Sequence, residues 1–486
     1  MRTTCKKAGR IPPGLHLCPF VFLFCSHAAP DMALGFVFVQ NLSDLGIECR
    51  AAPGQAGLQV FMNRGFGNAE LSGGGPNGGT GLDDVHSQLT GALLDWFFHR
   101  LPSDAVCCCN NPMHKRNGIC FLTWEAREAT MGKETFRERF TMIYFNNDYS
   151  EGCHSAVLEA LTRTNLEQTP GYGEDAYCRR AADKIRKLCG KDDLYVQFLV
   201  GGTQTNLTVI AAALRPHQGA LGPESAHINV HETGAVEATG HKVLSVPSAD
   251  GKITAKQVRD TVQAHRSDAS FEHMVQPKLV YISNPTEYGT LYSLEELEAL
   301  SEACRELGLY LFLDGARLGY GLVAKGNDVT MADLARLCDV FYIGGTKVGA
   351  LFGEAVVISN PAIAEDFRYL IKQRGGMLAK GRLLGVQFDA LLENNLYFDI
   401  AAHAVGLADQ LRDCIEELGY TYLVPGVTNQ VFPILPDTLL EELQKEFSFT
   451  EMGRYDENHR TVRFCTSWAT RQDQMDALCS KLRELT

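Results

Sequence analysis

Short apolar runs that alternate with helical patterns constrain this chain more than any other feature. The runs are residues 194–200, 227–230, 242–246, 278–283, 309–313, 340–344 and 355–359. Each is strand-length, and most are apolar on both faces. Helical periodicity fills the gaps between them. The clearest helix is 294–307, where Ser293 and Glu296 form a capping box and Gly308 supplies the stop. Strands buried on both faces, joined through helices, predict a mostly parallel, seven-stranded α/β sheet flanked by helices. After about residue 385 the rhythm changes. A long helix (397–418), strand-like 430–435 and 461–466, and a last helix (472–485) predict a small C-terminal α+β domain. The expected division is 142–388 for a large domain and 389–486 for the small one.

Residues 1–141 do not share this pattern. They carry 13 Lys+Arg and 12 Asp+Glu, whereas residues 142–486 carry 32 and 46, a net charge of −14. The glycine-rich tract from Ser72 to Gly81 reads as flexible linker. Only 36–39 and 89–101 show brief strand-like or helical character. Arg2, Lys6, Lys7 and Arg10 precede an apolar run at 15–24, which is signal-like. The reading favoured here is a mis-assigned start, with Met142 as the natural first residue and 1–141 disordered or poorly folded. The overall charge of −13 opposes nucleic acid or an anionic membrane as the main partner. No uninterrupted apolar run reaches spanning length. Cys107, Cys108 and Cys109 are adjacent and lack zinc-ligand spacing, so no metal is expected. The other cysteines are scattered singly, which fits reduced thiols in a cytoplasmic protein.

In open parallel sheets, ligands bind beyond the carboxyl ends of the strands. Three such ends carry chemistry. After Val200 comes Gly201-Gly202-Thr203-Gln204-Thr205-Asn206, a glycine turn opening a helix, where free N–H groups favour a phosphate. The plain alternative is a turn with Thr203 as N-cap. After Leu313 comes Asp314-Gly315-Ala316-Arg317. A carboxylate ending a buried strand needs a partner, either a ligand cation or Arg317 itself. After Gly344 comes Gly345-Thr346-Lys347. A lysine there can have its pKa lowered and form a Schiff base. The P-loop spacing is missing, so nucleotide triphosphate binding is rejected. Cradle, acid and lysine together suit pyridoxal 5′-phosphate. The lysine holds its aldehyde, the aspartate pairs with its ring nitrogen and the cradle takes its phosphate.

With these residues in view, the chain resembles the threonine aldolases of the aromatic amino acid β-eliminating lyase/threonine aldolase family, fold type I pyridoxal-phosphate enzymes. The matching segments are Asn146-Asn147-Asp148-Tyr149, Gly171-Tyr172-Gly173-Glu174-Asp175, the Gly201–Asn206 turn, His227 with Glu232, Asp314-Gly315-Ala316-Arg317, Lys347, Gly375-Gly376-Met377 and Val462-Arg463-Phe464. The likeness spans 142–486. It implies Lys347 as the Schiff-base lysine, Asp314 as partner of the ring nitrogen, and Gly202 and Thr203 at the phosphate. It also implies His227 stacked on the ring as a proton-transfer group. Arg317 falls at the ring hydroxyl or the substrate carboxylate, Arg463 clamps that carboxylate, and Asn147 is a weaker candidate there. His231 is a rival base, while His154 and His241 read as structural. Tyr172 looks like a residue reaching a partner subunit.

The implied reaction is retro-aldol cleavage of L-threonine or L-allo-threonine, a small-molecule amino acid substrate, to glycine and acetaldehyde by a homodimer or homotetramer. The alternatives are β-elimination or transamination with the same cofactor and, more remotely, a catalytically silent binding protein. The chain departs from the family at three places. The family's usual Ser-Gly-Lys stretch around the Schiff base reads Gly345-Thr346-Lys347 here. An arginine that often reaches the neighbouring phosphate is Leu378 here, with Arg374, Lys380 or Arg382 as substitutes. The family's Asn-Thr-His-Asn stretch reads Asn284-Pro285-Thr286-Glu287, without its histidine.

Overall fold

The computed structural model describes residues 142–486 and the backbone of an antiparallel hairpin, β1 (Ile47–Ala51) and β2 (Leu58–Met62). The hairpin belongs to the first of two compact units, Met1–Trp124; the second is Glu125–Thr486. The signal-like N-terminus, the glycine tract, the cysteine triplet and the elements expected at 36–39 and 89–101 lie outside the described residues.

The main sheet of the second unit has seven strands: β4 (Tyr195–Leu199), β5 (Gln218–Pro223), β6 (Lys242–Val246), β7 (Gln276–Ser283), β8 (Tyr310–Asp314), β9 (Val340–Gly344) and β10 (Glu354–Ile358), in the order β4-β10-β9-β8-β7-β5-β6. The pairs from β9 to β6 are parallel, and β10 runs antiparallel to both β9 and β4. One edge of the sheet therefore gathers the carboxyl ends of six strands and the amino end of β10.

Side-chain alternation supplies the two faces. In β9, Phe341 and Ile343 enter one hydrophobic core, while Val340 and Tyr342 enter the other. In β8, Leu311 and Leu313 share the first core and Phe312 the second. The helix Leu294–Leu307 covers one face and begins as its sequence predicts. Glu296 N–H donates to Ser293 Oγ (3.2 Å), Ser293 N–H donates to Glu296 Oε2 (2.9 Å), and Gly308 closes the helix at φ +72°.

One expectation is corrected. Residues 227–230 are not a strand. They form the short helix His227–Val230, and the seventh strand is β5. β5 reads Gln-Gly-Ala-Leu-Gly-Pro, with no β-branched residue, so its propensity is silent. Close packing requires its glycines. A Cβ on Gly219 would stand 2.7 Å from Lys242 O and 2.8 Å from Val275 Cγ1.

Toward the C-terminus, the long helix Leu396–Glu417 leads to a five-stranded sheet of β11 (Thr421–Tyr422), β12 (Gln430–Val431), β13 (Pro433–Pro436), β15 (Thr450–Arg454) and β16 (His459–Cys465). A third core, with Leu411, Leu440, Phe464 and Leu478, lies there. The opening segment joins this part. β3 (Ile143–Tyr144) pairs in parallel with β14 (Phe447–Ser448), and Phe145 is buried in the third core. This leaves residues 146–148 between the two sheets.

Candidate active site

Strand register builds the acidic centre. Asp314 follows Leu313, so alternation points its carboxyl to the face of Phe312, Tyr281 and Tyr342. Tyr281 Oη donates to Asp314 Oδ2 and Tyr342 Oη to Oδ1, each at 2.5 Å. Asn206 Nδ2 adds a bond to Oδ2 (3.1 Å), and Ala316 N–H one to Oδ1 (2.9 Å). Four donors converge on this buried carboxyl group. Burial, with the Asp314 charge behind it, drives both phenols well above the usual tyrosine range, so they remain donors.

The turn after β8 tolerates no side chain. A Cβ on Gly315 would lie 1.9 Å from Tyr342 O. Gly315→Ala is therefore expected to destabilise the protein by about 3 kcal/mol or more, as severe overpacking against backbone does. A urea midpoint equal to that of the parent protein would contradict this.

Asp314 does not pair with Arg317, the alternative that the sequence left open. Arg317 instead makes a two-point ion pair with Asp148, Nε to Oδ2 at 2.7 Å and Nη2 to Oδ1 at 3.0 Å. Asn429 Nδ2 donates to the same Oδ2 (2.9 Å). Burial works against the Asp148 charge, but the Arg317 cation, helped by Lys347, outweighs it and lowers this carboxyl's pKa.

His227 stands at the start of its short helix, just past β5. Its Nδ1 lies 2.8 Å from Glu232 Oε1, and Glu232's side chain is fully buried. The carboxylate fixes the ring proton on Nδ1 and leaves Nε2 as the free basic nitrogen. Asn206 Nδ2 also donates to Glu232 Oε1 (2.7 Å) and so ties His227's partner to Asp314. His231 packs beside His227, ring centroids 5.6 Å apart; burial, then the charges of His227 and Arg463, lower its pKa.

The glycine turn after β4 forms the N-terminus of the helix Gly202–Ala213, which has no side-chain cap. Its first intrahelical bond runs from Thr205 N–H to Gly201 O (3.0 Å), so the amides of Gly202, Thr203 and Gln204 precede the ladder. A Cβ on Gly202 would crowd Tyr342 Oη at 3.1 Å. Lys347 follows β9 and makes no ion pair among the described residues. Burial and the Arg317 cation lower its pKa, opposed by Asp148, Asp314 and Glu354.

Arg463 lies on β16. Nη2 donates to Asn146 O (2.9 Å) and Nη1 to Gln430 Oε1 (3.3 Å), while its buried Nε has no partner. Asn147 is committed locally, its Oδ1 accepting from Tyr149 N–H and Ser150 Oγ, both at 3.0 Å. Among the substitutes for the lost arginine, Arg374 meets the cradle helix through its carbonyl, which accepts from Gln204 Nε2 (3.3 Å). Its buried Nε is unpartnered.

The sequence reading did not assign roles to Asn206, Glu232, Tyr281, Tyr342, Asp148, Glu287 or Glu354. Glu287, in the stretch lacking the family histidine, accepts at Oε1 from Ser283 Oγ (2.7 Å) and His227 N–H (3.1 Å). Burial raises its pKa. A carboxylate that sequence alone places next to strand ends was the available signal for Glu287 and Glu354.

An amine, a carboxylate saturated with donors and an uncapped helix N-terminus lie along one edge of a helix-covered α/β sheet. Comparison with known proteins supplies the class. A family model described as beta-eliminating lyase matches residues 148–437, and the chain belongs to that family. It is 33% identical over 347 residues to the low specificity L-threonine aldolase of a Pseudomonas species, covering 70% of this chain and 96% of that one. The Pseudomonas aeruginosa protein of the same name is 31% identical, covering 71% and 97%. A solved structure of Leishmania major threonine aldolase is 46% identical, with a TM-score of 0.69, covering 71% of this chain and 99% of that one. A Thermus thermophilus aspartate aminotransferase shares the fold, with a TM-score of 0.55 at 16% identity. The fold is that of fold type I pyridoxal-phosphate enzymes.

Proposed function

We propose that this protein is a pyridoxal 5′-phosphate-dependent aldolase that cleaves L-threonine and L-allo-threonine to glycine and acetaldehyde. The observation that carries this reading is the convergence of Lys347, Asp314 and the Glu232-held His227 on one sheet edge, in a chain that spans nearly the full length of relatives named as threonine aldolases.

The residues fit the cofactor. The uncapped amides of Gly202 and Thr203 suit its phosphate, Asp314 its ring nitrogen and Lys347 its aldehyde. Its chemistry when bound is to draw electrons from the substrate's Cα into the ring. The chain's own groups do the rest. Lys347 would hold the cofactor through its aldehyde, and Asp314, fixed by Tyr281, Tyr342 and Asn206, would face its ring nitrogen. His227 Nε2 takes the β-hydroxyl proton, directly or through a water, because Glu232 holds the other ring nitrogen protonated. Arg463 receives the substrate carboxylate through its unpartnered Nε. Arg317, bound to Asp148, braces the ring side.

The reading extends to a homodimer or homotetramer in the cytoplasm. Half-exposed Tyr172, held at φ +62°, borders a cavity of about 420 Å³ with Arg179, Arg368 and Leu378. This supports a neighbouring subunit there. The eight cysteines of the described region are unpaired, which supports a reducing compartment. No described helix is long and apolar enough to cross a membrane.

The test is product analysis. L-threonine, L-allo-threonine and L-serine are each added to the full chain with pyridoxal phosphate. Equimolar glycine and acetaldehyde from the threonines are expected. The family's description favours one second reading, β-elimination. Keto acid and ammonia in place of glycine would establish it and overturn the aldolase.

A further inference from the structure

The antiparallel strand β10 brings an acid to the lysine. Glu354 is its first residue and is 4% exposed. In the register it faces Gly344, the last residue of β9, so its side chain lies against the turn that presents Lys347. Gly345 N–H donates to Glu354 Oε2 (3.0 Å), and Thr346 Oγ1 donates to Oε1 (2.8 Å). The same Thr346 hydroxyl accepts from Gly353 N–H (3.0 Å). The Gly345 and Thr346 amides both donate to Gly353 O, at 3.0 and 3.1 Å. Every link in this clamp joins the two residues before the lysine to Glu354 and the glycine that precedes it.

Position alone accounts for the backbone bonds, and any strand in that register would supply them. It does not account for a buried carboxyl. Burial raises the pKa of Glu354 to about 8, opposed first by the Lys347 charge and then by the Thr346 and Gly345 bonds. An acid retained at that cost has a reason to face an amine. The charged and titratable groups acting on Lys347 and Glu354 are Arg317, Asp148 and Asp314, with the Tyr342 and Tyr397 phenols also close to Glu354.

We propose that Glu354 is the positioning residue for Lys347: through Gly345 and Thr346 it fixes the turn that presents the amine, and from the start of β10 it holds a buried carboxyl beside that turn, where its charge acts on the amine without a direct ion pair. The inference rests on the reading of Lys347 as the residue that takes the cofactor's aldehyde.

The test measures covalent capture of pyridoxal phosphate by the cofactor-free protein as a function of pH. Borohydride fixes the captured cofactor, and mass spectrometry gives the labelled fraction. In Glu354→Gln the amine loses the anion that favours its protonated form. The midpoint of capture is expected to fall by about one pH unit or more, the shift that a close opposite charge produces. Thr346→Val retains the acid and removes one donor that favours its ionised form. Its midpoint is expected to fall by less, and it serves as the measurement if Glu354→Gln does not fold. A merely structural role would reduce the labelled fraction or the melting temperature and leave both midpoints at the parent value. That result overturns the proposal. No capture by the parent protein at any pH would instead overturn the cofactor reading itself.

Discussion

Lys347→Ala protein is expected to lose threonine cleavage by at least about a thousandfold, the upper range for removing one group that handles covalent and proton transfer. It should keep its fold. Lys347 makes no ion pair among the described residues, and its turn is held by Gly345, Thr346 and Glu354 rather than by the lysine side chain. Two measurements separate the effects. Circular dichroism and the urea midpoint should match the parent protein. Borohydride should fix no cofactor to the chain, although phosphate at Gly202 and Thr203 still retains it without a covalent bond. Turnover within tenfold of the parent would remove Lys347 from the mechanism.

The second large effect is on stability. Asp148→Ala leaves the buried Arg317 guanidinium without its anion. Breaking a buried pair from one side costs about 3–5 kcal/mol, because the remaining charge is uncompensated. Asp148 also accepts from Asn429, so the loss loosens the join between the opening segment, the main sheet and the C-terminal sheet. The pH dependence follows from the direction of the Asp148 shift. Its pKa is lowered in the folded state from 3.8, so its stabilisation is complete above about pH 4 and disappears as the pH falls through the folded value. In acid titrations the parent should therefore lose stability below about pH 4, and Asp148→Ala should show less of that slope. Identical acid unfolding curves for the two proteins would show that the pair contributes nothing.

Both predictions draw on parts of the molecule that differ in how readable they are from sequence. The positions of Lys347, Asp314 and the Gly202-Thr203 turn were legible because each lies at the end of a short apolar strand. The helix at 294–307 was legible to the residue because capping residues are local signals. β5 was not legible, because its glycines serve neighbouring strands rather than its own conformation. His227 was assigned to a strand for a related reason. Its short helix satisfies packing beside Glu232 and Glu287, which no periodicity over four residues can report. The partners of Asp314 and Arg317 were hidden as well. Tyr281 meets Asp314 through strand register, Asn206 comes from the cradle helix and Asp148 from the opening segment, all distant in sequence.

The reversed direction of β10 also bears on how this site assembles during folding. The lysine and its acid belong to one hairpin, closed by the nine residues from Gly345 to Gly353. Short connections lose little chain entropy on closure, and contacts local in sequence form early. By contrast, β10 meets its other neighbour, β4, across a long stretch of chain, and that pairing is expected to form later. The turn that presents the lysine is therefore expected to close before the pocket around it is complete. Hydrogen exchange during refolding would read this order as protection at Gly345 and Thr346 ahead of protection in β4.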